Sequence, residues 1–458
     1  MPKTCVAGTD CGIWANGTCS GNVDCGTNCG TGTCSSPTNG FCVGSPQFTF
    51  KWYNWSAQGT GLDNNVYALA TYNGKLIAGG WFTAAGGKSV NYTAAWNGTD
   101  WSSLGSGIGT DGSTGHVVNA LTVYNGQLIV AGVFDKAGGK NALRIAAWNG
   151  TGWNPLGAGI NYDVNALTVY NGQLIAGGQF SSAGGVIVNN IAAWDGTSWH
   201  ALGSGINSFS VPIVYSLAVY NNKLIAGGTF SSAGGVNANN IASWNGTAWS
   251  ALGSGTDGTI YTLTNYSGQL IVGGQFWSAG GTAANSIASW DGSSWHSMGS
   301  ITSGIVYALR AYNGSLIVGK WGSSYDNIEV WDGGSWRVLD GGVNHRVTSL
   351  GEYNNDLIAG GNFINSGSGI NSAYIIRGHM TGSVPSLSPF AAFGGFIKET
   401  FAGSTESAAL TENKNSERDK QLIIALLVGL IAVILLIIVK IRENNRHKRL
   451  RKVKKHRR

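Results

Sequence analysis

The strongest constraint on this chain is a nine-residue segment that recurs seven times. One copy, YNGQLIAGG, begins at Tyr170, and successive copies follow at intervals of 41 to 52 residues. The copies begin at Tyr72, Tyr124, Tyr170, Tyr220, Tyr266, Tyr312 and Tyr353. Self-similarity at a nearly fixed period indicates a repeat architecture, in which each repeat is one supersecondary unit that packs against its neighbours.

A second block follows each of the first six copies and consists of two tryptophans five positions apart with a turn between them. The pairs are Trp96/Trp101, Trp148/Trp153, Trp194/Trp199, Trp244/Trp249, Trp290/Trp295 and Trp331/Trp336. Because the pairs recur at one spacing, we interpret them as packing between units rather than as a carbohydrate or cation cage. The glycine pair of LIAGG is interpreted as a site of close approach between neighbouring units. A phosphate loop is disfavoured because no helix follows it.

Four strands are predicted in each repeat, here called a to d in chain order. In the third repeat they are Val164–Tyr170, Gln173–Phe180, Ile191–Trp194 and Ser198–Leu202. Asn-Gly and Asp-Gly sequences favour two-residue hairpin turns, so the a–b and c–d connections should be tight. The b–c and d–a connections are long and variable. A four-stranded unit with this period is typical of a β-propeller blade.

The seventh copy lacks the closing tryptophan strand, and the segment FTFKWYNWSAQGTG at residues 48–61 resembles the end of a repeat. We therefore predict that Trp55–Gln58 supplies strand d of the last blade, which leaves no exposed sheet edge. The predicted fold class is all-β: a seven-bladed propeller over residues 47–382 with N-terminal strand closure. An open or six-bladed ring is the alternative.

The pattern LIxGG…W(D/N)GxxW resembles that of kelch-type propellers. The longer version FSSAGGVNANNIASWNGT is similar to the propeller of fungal cortical polarity-marker proteins, which are single-span membrane proteins of the bud-site-selection type. The resemblance covers residues 47–382 and the order of propeller and span. It implies the fold, and it would imply a role in cell polarity. The cysteine-rich segment, the smaller size and the short tail depart from the family.

All the cysteines lie near the N-terminus, within residues 1–46. They are Cys5, Cys11, Cys19, Cys25, Cys29, Cys34 and Cys42. Their dense spacing predicts a small disulfide-bonded module in an oxidising compartment, with a zinc site as the alternative. The odd count and the lack of a signal peptide before Cys5 suggest that the natural chain extends further upstream.

One segment near the C-terminus predicts a membrane span. Residues 421–441 carry no charge before Lys440, and about 20 apolar residues are enough to cross a bilayer. The basic segment 442–458 after it predicts a cytoplasmic tail, so the rest, including a stalk at 383–420, should lie outside. The cell membrane is the expected location, with an internal secretory-pathway membrane as the alternative. The tail is also suited to anionic lipid headgroups, although a simple stop-transfer anchor explains it equally well.

The positive formal charge of the chain, +6, comes from this tail. Before Lys440 there are 17 basic and 21 acidic residues, so the folded part lacks the excess of basic residues that nucleic-acid binding needs. Glycosylation sequons agree with an outward position of that part. The candidate asparagines are Asn16, Asn54, Asn91, Asn97, Asn149, Asn245, Asn265 and Asn313.

Several loop residues depart from their counterparts in the other repeats and are candidates for ligand contacts. They are His116, Asp135, Lys136, Tyr162, Phe209 and Trp277. All belong to the b–c or d–a connections, and long loops on a rigid scaffold are where binding usually occurs. Each is also compatible with an ordinary loop position.

Catalytic groups are sparse in the predicted propeller. No cysteine follows Cys42, which excludes the Tyr–Cys crosslink of copper radical oxidases, and residues 1–382 contain two glutamates, Glu329 and Glu352. His200 and His296 occupy equivalent positions in different repeats, so a shared metal is disfavoured. We predict no catalytic residue, metal or cofactor, and a role in binding an extracellular protein or glycan for recognition, adhesion or scaffolding. The alternative is a glycan-active hydrolase or lyase with paired carboxylates in its loops.

Overall fold

The computed structural model describes residues 51–109, 115–301, 304–322 and 324–381. The predicted cysteine module, stalk, membrane span and basic tail all lie outside these residues. Within the described ranges, the structure contains no helix of the length and apolarity that a bilayer crossing requires.

The described chain is built from β-strands numbered here in chain order. The first are β1 (Lys51–Ala57), β2 (Val66–Tyr72), β3 (Lys75–Gly80), β4 (Ala84–Ala85), β5 (Lys88–Ser89), β6 (Thr93–Trp96), β7 (Trp101–Ser103), β8 (Val117–Tyr124), β9 (Gln127–Val133), β10 (Lys136–Ala137), β11 (Lys140–Asn141), β12 (Ile145–Trp148) and β13 (Trp153–Pro155). Next come β14 (Val164–Tyr170), β15 (Gln173–Gly178), β16 (Ser182–Ala183), β17 (Val186–Ile187), β18 (Ile191–Trp194), β19 (Trp199–Ala201), β20 (Ile206–Asn207), β21 (Ile213–Tyr220), β22 (Lys223–Thr229), β23 (Ser232–Ala233), β24 (Val236–Asn237), β25 (Ile241–Trp244) and β26 (Trp249–Ala251). The last are β27 (Thr259–Tyr266), β28 (Gln269–Gln275), β29 (Ser278–Ala279), β30 (Thr282–Ala283), β31 (Ile287–Trp290), β32 (Trp295–Ser297), β33 (Ile305–Tyr312), β34 (Ser315–Trp321), β35 (Ile328–Trp331), β36 (Trp336–Val338), β37 (Val347–Tyr353), β38 (Asp356–Gly361) and β39 (Ile375–Thr381).

The longer strands form antiparallel four-stranded sheets, one for each copy of the repeat. Sheets 1 to 3 are β2-β3-β6-β7, β8-β9-β12-β13 and β14-β15-β18-β19. Sheets 4 to 6 are β21-β22-β25-β26, β27-β28-β31-β32 and β33-β34-β35-β36. Sheet 7 is β37-β38-β39-β1. In the third repeat, strands a and c match their predicted bounds, while strand b ends two residues earlier and strand d spans Trp199–Ala201.

Local turn chemistry fixes the pairing within each sheet. In sheet 3, Asn171 and Gly172 adopt φ angles of 48° and 76°, and the flanking Tyr170 and Gln173 are cross-strand partners. Positive φ at both central residues gives a turn whose twist matches that of the flanking strands. The same turn occurs in the other repeats, so strand register follows from the sequence.

The first strands of the sheets contact one another in a closed cycle. Contacts run from β2 to β8, β14, β21, β27, β33 and β37, and from β37 back to β2. At the closing junction, the Thr71 hydroxyl donates to the Glu352 carbonyl at 2.9 Å. The all-β propeller fold expected from the repeat is therefore confirmed.

The N-terminal strand completes sheet 7, as predicted. β1 pairs antiparallel with β39, and Lys51 lies opposite Thr381. The Trp55 side chain is 2% exposed and belongs to an apolar cluster with residues of sheets 6 and 7. The strand begins earlier than the predicted Trp55 and ends at Ala57.

Tryptophans and glycines occupy the interfaces between sheets, as expected. The Trp153 indole N–H donates to the Leu104 carbonyl of the preceding repeat at 2.8 Å, and its ring centroid lies 5.2 Å from that of Trp148. A Cβ on Gly79 of sheet 1 would lie 2.4 Å from Cγ1 of Val118 in sheet 2. Only glycine permits this approach between strands b and a of neighbouring sheets.

The b–c connections of sheets 1 to 5 each contain the sequence AGG and were predicted as long loops, but each forms a short ribbon of two-residue strands. In sheet 3 a Cβ on Gly184, where φ is 57°, would lie 2.9 Å from Cδ1 of Trp199. The ribbon therefore packs its glycine turn against the second tryptophan of its own sheet, a tertiary contact that loop composition does not reveal. Sheet 6 has no such ribbon among its described residues.

Candidate functional site

The antiparallel order divides the connections between two faces. The a–b turns of two residues and the c–d turns, which have four residues between the paired tryptophans rather than the expected two, lie on one face, here the tight-turn face. The b–c and d–a connections lie on the other, here the long-loop face. β1 starts and β39 ends at the tight-turn face, because Lys51 pairs with Thr381. The chain therefore enters and leaves the propeller on the face opposite the long loops.

The candidate contact residues all lie on the long-loop face, but three of them pack against, pair with or belong to the framework of the propeller. His116 is 6% exposed and packs edge-on against Tyr92 at 5.5 Å between ring centroids. Asp135 forms an ion pair with Arg144. Lys136 belongs to the ribbon strand β10 and is half-buried. A packing or framework role accounts for the departure of these residues from the repeat.

The other three candidates are aromatic and exposed. Tyr162, Phe209 and Trp277 are 49%, 105% and 79% exposed. Tyr162 also borders a cavity of about 460 Å³ between the loops of sheets 3 and 4, together with Val211 and Pro212. No contact in the described structure joins the three aromatic residues into one site.

Most of the exposed large apolar side chains lie at loops or strand ends of this same face. They are Trp81, Leu143, Tyr162, Val186, Ile187, Phe209, Val211, Val236, Trp277, Trp321, Tyr325 and Ile364. An exposed apolar patch on a protein surface often marks a site of interaction with another molecule. Among the described residues, the tight-turn face has few such side chains.

A row of aromatic rings lies where strands a of sheets 4, 5 and 6 enter the centre of the ring. The Tyr215 and Tyr261 centroids are 5.1 Å apart, and those of Tyr261 and Tyr307 are 4.9 Å apart and stacked at 28°. Partial burial raises the pKa of both Tyr215 and Tyr261, and the neighbouring Tyr307 adds to the effect. These phenols are therefore neutral at physiological pH and offer ring faces and hydroxyl groups.

The row continues into sheets 6 and 7 through a cation. The Arg346 guanidinium carbon lies 5.2 Å from the Tyr307 centroid and 5.8 Å from the Trp321 ring. The Trp321 ring in turn stacks on His345 at 6.4 Å. Among the described residues, Arg346 has no carboxylate partner, and its Nε is buried without a hydrogen bond. A guanidinium held between aromatic faces retains its capacity for bidentate binding of an acidic group.

This row of side chains is here called the mouth arc and comprises Tyr215, Tyr261, Tyr307, Arg346, Trp321 and His345. A central cavity of about 230 Å³ lies beside it. The cavity is lined by the first strands of the sheets, including Tyr215 and Tyr307 on one side and Asn119 and Asn165 on the other. The Asn119 amide donates to Asn165 Oδ1 at 3.1 Å. None of the described side chains that border this cavity is acidic. Aromatic faces opposite side-chain amides make a surface for binding, and its described lining provides no acid–base pair.

Sequence reasoning missed the mouth arc because it looked for departures in the loops. The tyrosines occupy the second or third residue of strand a, where the repeat reads YALA, YSLA, YTLT or YALR in some copies and NALT in others. Alternation along the strand places this residue toward the ring centre. Aligning the inward positions of all repeats would have identified Tyr67, Tyr215, Tyr261 and Tyr307.

The predicted glycosylation asparagines have different environments. Asn97, Asn149, Asn245 and Asn313 are exposed on the tight-turn face. Asn97 Oδ1 accepts hydrogen bonds from the Thr99 and Asp100 amides, so the W-N-G-T sequence also closes a turn.

The remaining sequon asparagines either donate side-chain hydrogen bonds or lie outside the part of the chain that the structure describes. Asn91 and Asn265 donate their side-chain amides to the carbonyls of Ser106 and Val219, at 2.9 and 2.8 Å. Asn16 lies outside the described residues, and so does the side chain of Asn54.

The two equivalent histidines each pair with an aspartate of their own sheet. His200 Nε2 lies 2.6 Å from Asp195 Oδ2, and His296 Nε2 lies 2.8 Å from Asp291 Oδ2. The Ser198 amide, the Thr197 hydroxyl and His200 hold the pKa of Asp195 well below its usual range. These pairs stabilise c–d turns, and no cluster of three or more His, Cys, Asp or Glu side chains suited to a metal occurs among the described residues.

One family model matches a short part of the chain. It is that of a β-propeller domain of unknown function, DUF5122, and it matches residues 221–242, which span strand b and the ribbon of sheet 4. No curated protein matches the chain. The family match and the sheet arrangement agree on a β-propeller.

Solved structures with similar folds are distant in sequence. The extracellular domain of a hybrid two-component system from B. thetaiotaomicron is 9% identical with a TM-score of 0.47, over 72% of this chain and 39% of that one. YCF48 bound to D1 peptide is 14% identical with a TM-score of 0.46, over 74% of this chain and 98% of that one. The WD40 propeller domain of Doa1 is 15% identical with a TM-score of 0.42, over 72% and 96%. This chain spans well under half of the first of these structures, and the TM-score is below 0.5 for all three.

Proposed function

We propose that this chain is a recognition protein in which a seven-bladed propeller binds its partner at the mouth arc. The observation that carries the proposal is the guanidinium of Arg346, which lies between the rings of Tyr307 and Trp321 without a carboxylate among the described residues. A partner that offers a flat ring or apolar face together with a carboxylate would satisfy both features. Acidic glycans and acidic peptides both have this chemistry.

The position of the arc supports a role in binding a partner outside a membrane. The described chain ends on the tight-turn face of the propeller, opposite the long-loop face, and an apolar segment follows at residues 421–441. We therefore propose a single-span protein of the cell surface, of the kelch type and akin to the polarity-marker proteins, with its propeller outside. Labelling of intact cells with an impermeant amine reagent should modify the propeller and spare the basic tail. If the propeller were labelled only after the cells are permeabilised, as the tail should be, this orientation would be contradicted.

The alternative function, a glycan-active hydrolase or lyase, receives less support. Glycoside hydrolysis uses two carboxylic groups about 5–10 Å apart. The described lining of the cavity beside the mouth arc has no acidic residue. Asp163 of the loops lies beside Arg144, and Asp257 accepts hydrogen bonds from Trp277 and Ser278. The arrangement therefore favours binding over bond cleavage.

Arrays of acidic and neutral oligosaccharides and of acidic and neutral peptides, probed with the purified full chain, test the proposal. We expect binding to carboxylate-bearing probes, loss of at least about tenfold in affinity for Arg346→Ala, and a smaller loss for Tyr261→Ala. Arg337→Ala is the matched control, because Arg337 lies in sheet 6, pairs with Asp332 at 2.8 Å and is not part of the arc. Absence of binding on every array, or equal loss in the control variant, would overturn the proposal.

A further inference from the structure

Strand b of sheet 6 carries a lysine where the other six sheets have glycine. Lys320 lies opposite Val306, just as Gly80 lies opposite Val66 in sheet 1. Its side chain is 0% exposed. Lysine is almost never fully buried in proteins unless it is paired, so this position requires specific partners.

Both partners come from the same sheet and its loop. Lys320 Nζ lies 3.0 Å from Glu329 Oε1 and 3.2 Å from Asp326 Oδ2. The Glu329 side chain is 0% exposed and that of Asp326 is 16% exposed. Glu329 occupies the second residue of strand c, where the equivalent residue of sheet 3 is Ala192. Sheet 6 thus introduces an amine and a carboxylate at positions that are small and apolar elsewhere.

The surroundings of this trio are apolar. Val306 and Val318, which lie opposite Lys320 and Glu329, belong to a buried cluster that also contains Ile287 of sheet 5. Burial of charge at such a site is costly unless the charged groups pair with one another. An amine and a carboxyl group are the two reactants of an amide condensation, and Lys320 Nζ lies 3.2 Å from a carboxyl oxygen of Asp326.

We propose that Lys320 and Asp326 are joined in the folded protein by an amide bond between Nζ and Cγ, with Glu329 as the proton carrier. Glu329 takes a proton from the Lys320 ammonium and passes it to the Asp326 carboxylate. The amine lone pair then attacks Cγ of Asp326, and Glu329 moves a second proton from nitrogen to the departing hydroxyl. One C–N bond forms, one C–O bond breaks and one water leaves, while Glu329 returns to its carboxylate form and accepts a hydrogen bond from the new amide.

The proximity of the reacting groups and the exclusion of water favour the amide condensation. Reactive groups held about 3 Å apart in fixed orientation gain effective concentrations far above those in solution, and general acid–base transfer lowers the barrier further. No external oxidant, metal or enzyme enters the balance. The bond links Lys320 to Asp326, whose chain neighbours Trp321 of the mouth arc and Tyr325 are 46% and 45% exposed.

Tryptic digestion of the denatured, deglycosylated full chain tests the proposal. Without the bond, trypsin cleaves after Lys320 and releases Ala311–Lys320 and Trp321–Arg337 as separate peptides. With the bond, Lys320 is acylated and resists cleavage, so mass spectrometry should find one peptide spanning Ala311–Arg337 that lacks the mass of one water. Two separate peptides from the folded wild-type chain would overturn the proposal.

Three variants separate the roles of the groups. Asp326→Ala removes the electrophile and Glu329→Gln removes the proton carrier, so both should give the two separate peptides. Glu352→Gln, which alters the ion pair with Arg310 at 3.0 Å elsewhere in the fold, should keep the linked peptide. A linked peptide in Asp326→Ala would contradict the assigned partner, and undiminished linkage in Glu329→Gln would contradict the assigned proton carrier.

Discussion

The ring of Trp55 lies directly against the backbone of Gly378 on the neighbouring strand. A Cβ on Gly378 would lie 2.9 Å from Cζ3 of Trp55. The two residues belong to β1 and β39, from opposite ends of the described chain, and the contact joins them in sheet 7. Closure of the ring therefore depends on an N-terminal segment packing against a C-terminal one.

Replacing the closing tryptophan should destabilise the whole propeller. Trp55→Ala removes a side chain that is 2% exposed, and such truncations cost about 3–5 kcal/mol in the free energy of unfolding. Denaturant titration followed by circular dichroism measures the change. Trp277→Ala, at a side chain 79% exposed, should shift the value by less than about 0.5 kcal/mol. Similar losses in both variants would show that β1 does not stabilise the ring.

Close approach between sheets should make the glycine of strand b intolerant of alanine. A Cβ on Gly177 would lie 2.6 Å from Cγ1 of Val214 in the next sheet, so Gly177→Ala should cost about 1–3 kcal/mol through overpacking. Gly152→Ala is the control, because a Cβ on Gly152 would meet no other atom within 4 Å. Thermal unfolding of the two variants distinguishes them, and a neutral Gly177→Ala would contradict the packing argument.

The fold was predictable because its determinants are local and repeated. Asn-Gly turns set the hairpins, paired tryptophans mark strands c and d, and the incomplete seventh repeat indicates the strand around Trp55. The residues of the mouth arc were less accessible to this reasoning. Arg346 and Trp321 belong to different repeats, and they meet only because sheets 6 and 7 are neighbours in the closed ring.

The ribbons and the buried trio escaped prediction for a related reason. A Gly-rich loop such as SSAGGVIVNN has a composition typical of irregular structure, but the tryptophan beneath it and hydrogen bonds such as Val188 N–H to the Ser181 carbonyl order it. Lys320 and Glu329 are nine residues apart and replace small residues of other repeats, and strand pairing brings them within hydrogen-bond distance. Tertiary contacts of this kind leave no periodic signal in one sequence.

Acid should weaken the c–d turn of sheet 3 through Asp195. Hydrogen bonds from Ser198, Thr197 and His200 lower the pKa of Asp195 in the folded chain below the unfolded value of 3.8. The stabilisation is therefore present above pH 3.8 and is lost as the pH falls through the lower folded pKa. Asp195→Asn keeps the Oδ1 acceptor, as Asn97 does in sheet 1, and removes the titrating group. Unfolding free energies near neutral pH and in acid should show a smaller acid dependence in the variant, and an unchanged dependence would contradict this assignment.

Glycan occupancy should follow the hydrogen bonding of each asparagine amide if the propeller enters the secretory pathway. The side-chain amides of Asn91 and Asn265 donate to the carbonyls of Ser106 and Val219, whereas Asn97 is exposed and uses its oxygen in its turn. Attachment of a glycan at Nδ2 competes with the first two contacts and leaves the third intact. We therefore expect high occupancy at Asn97 and its counterparts on the tight-turn face, and low occupancy at Asn91 and Asn265. Peptide mass spectrometry after enzymatic deglycosylation in heavy-oxygen water measures this, and full occupancy at Asn265 would show that the chain is modified before that hydrogen bond forms.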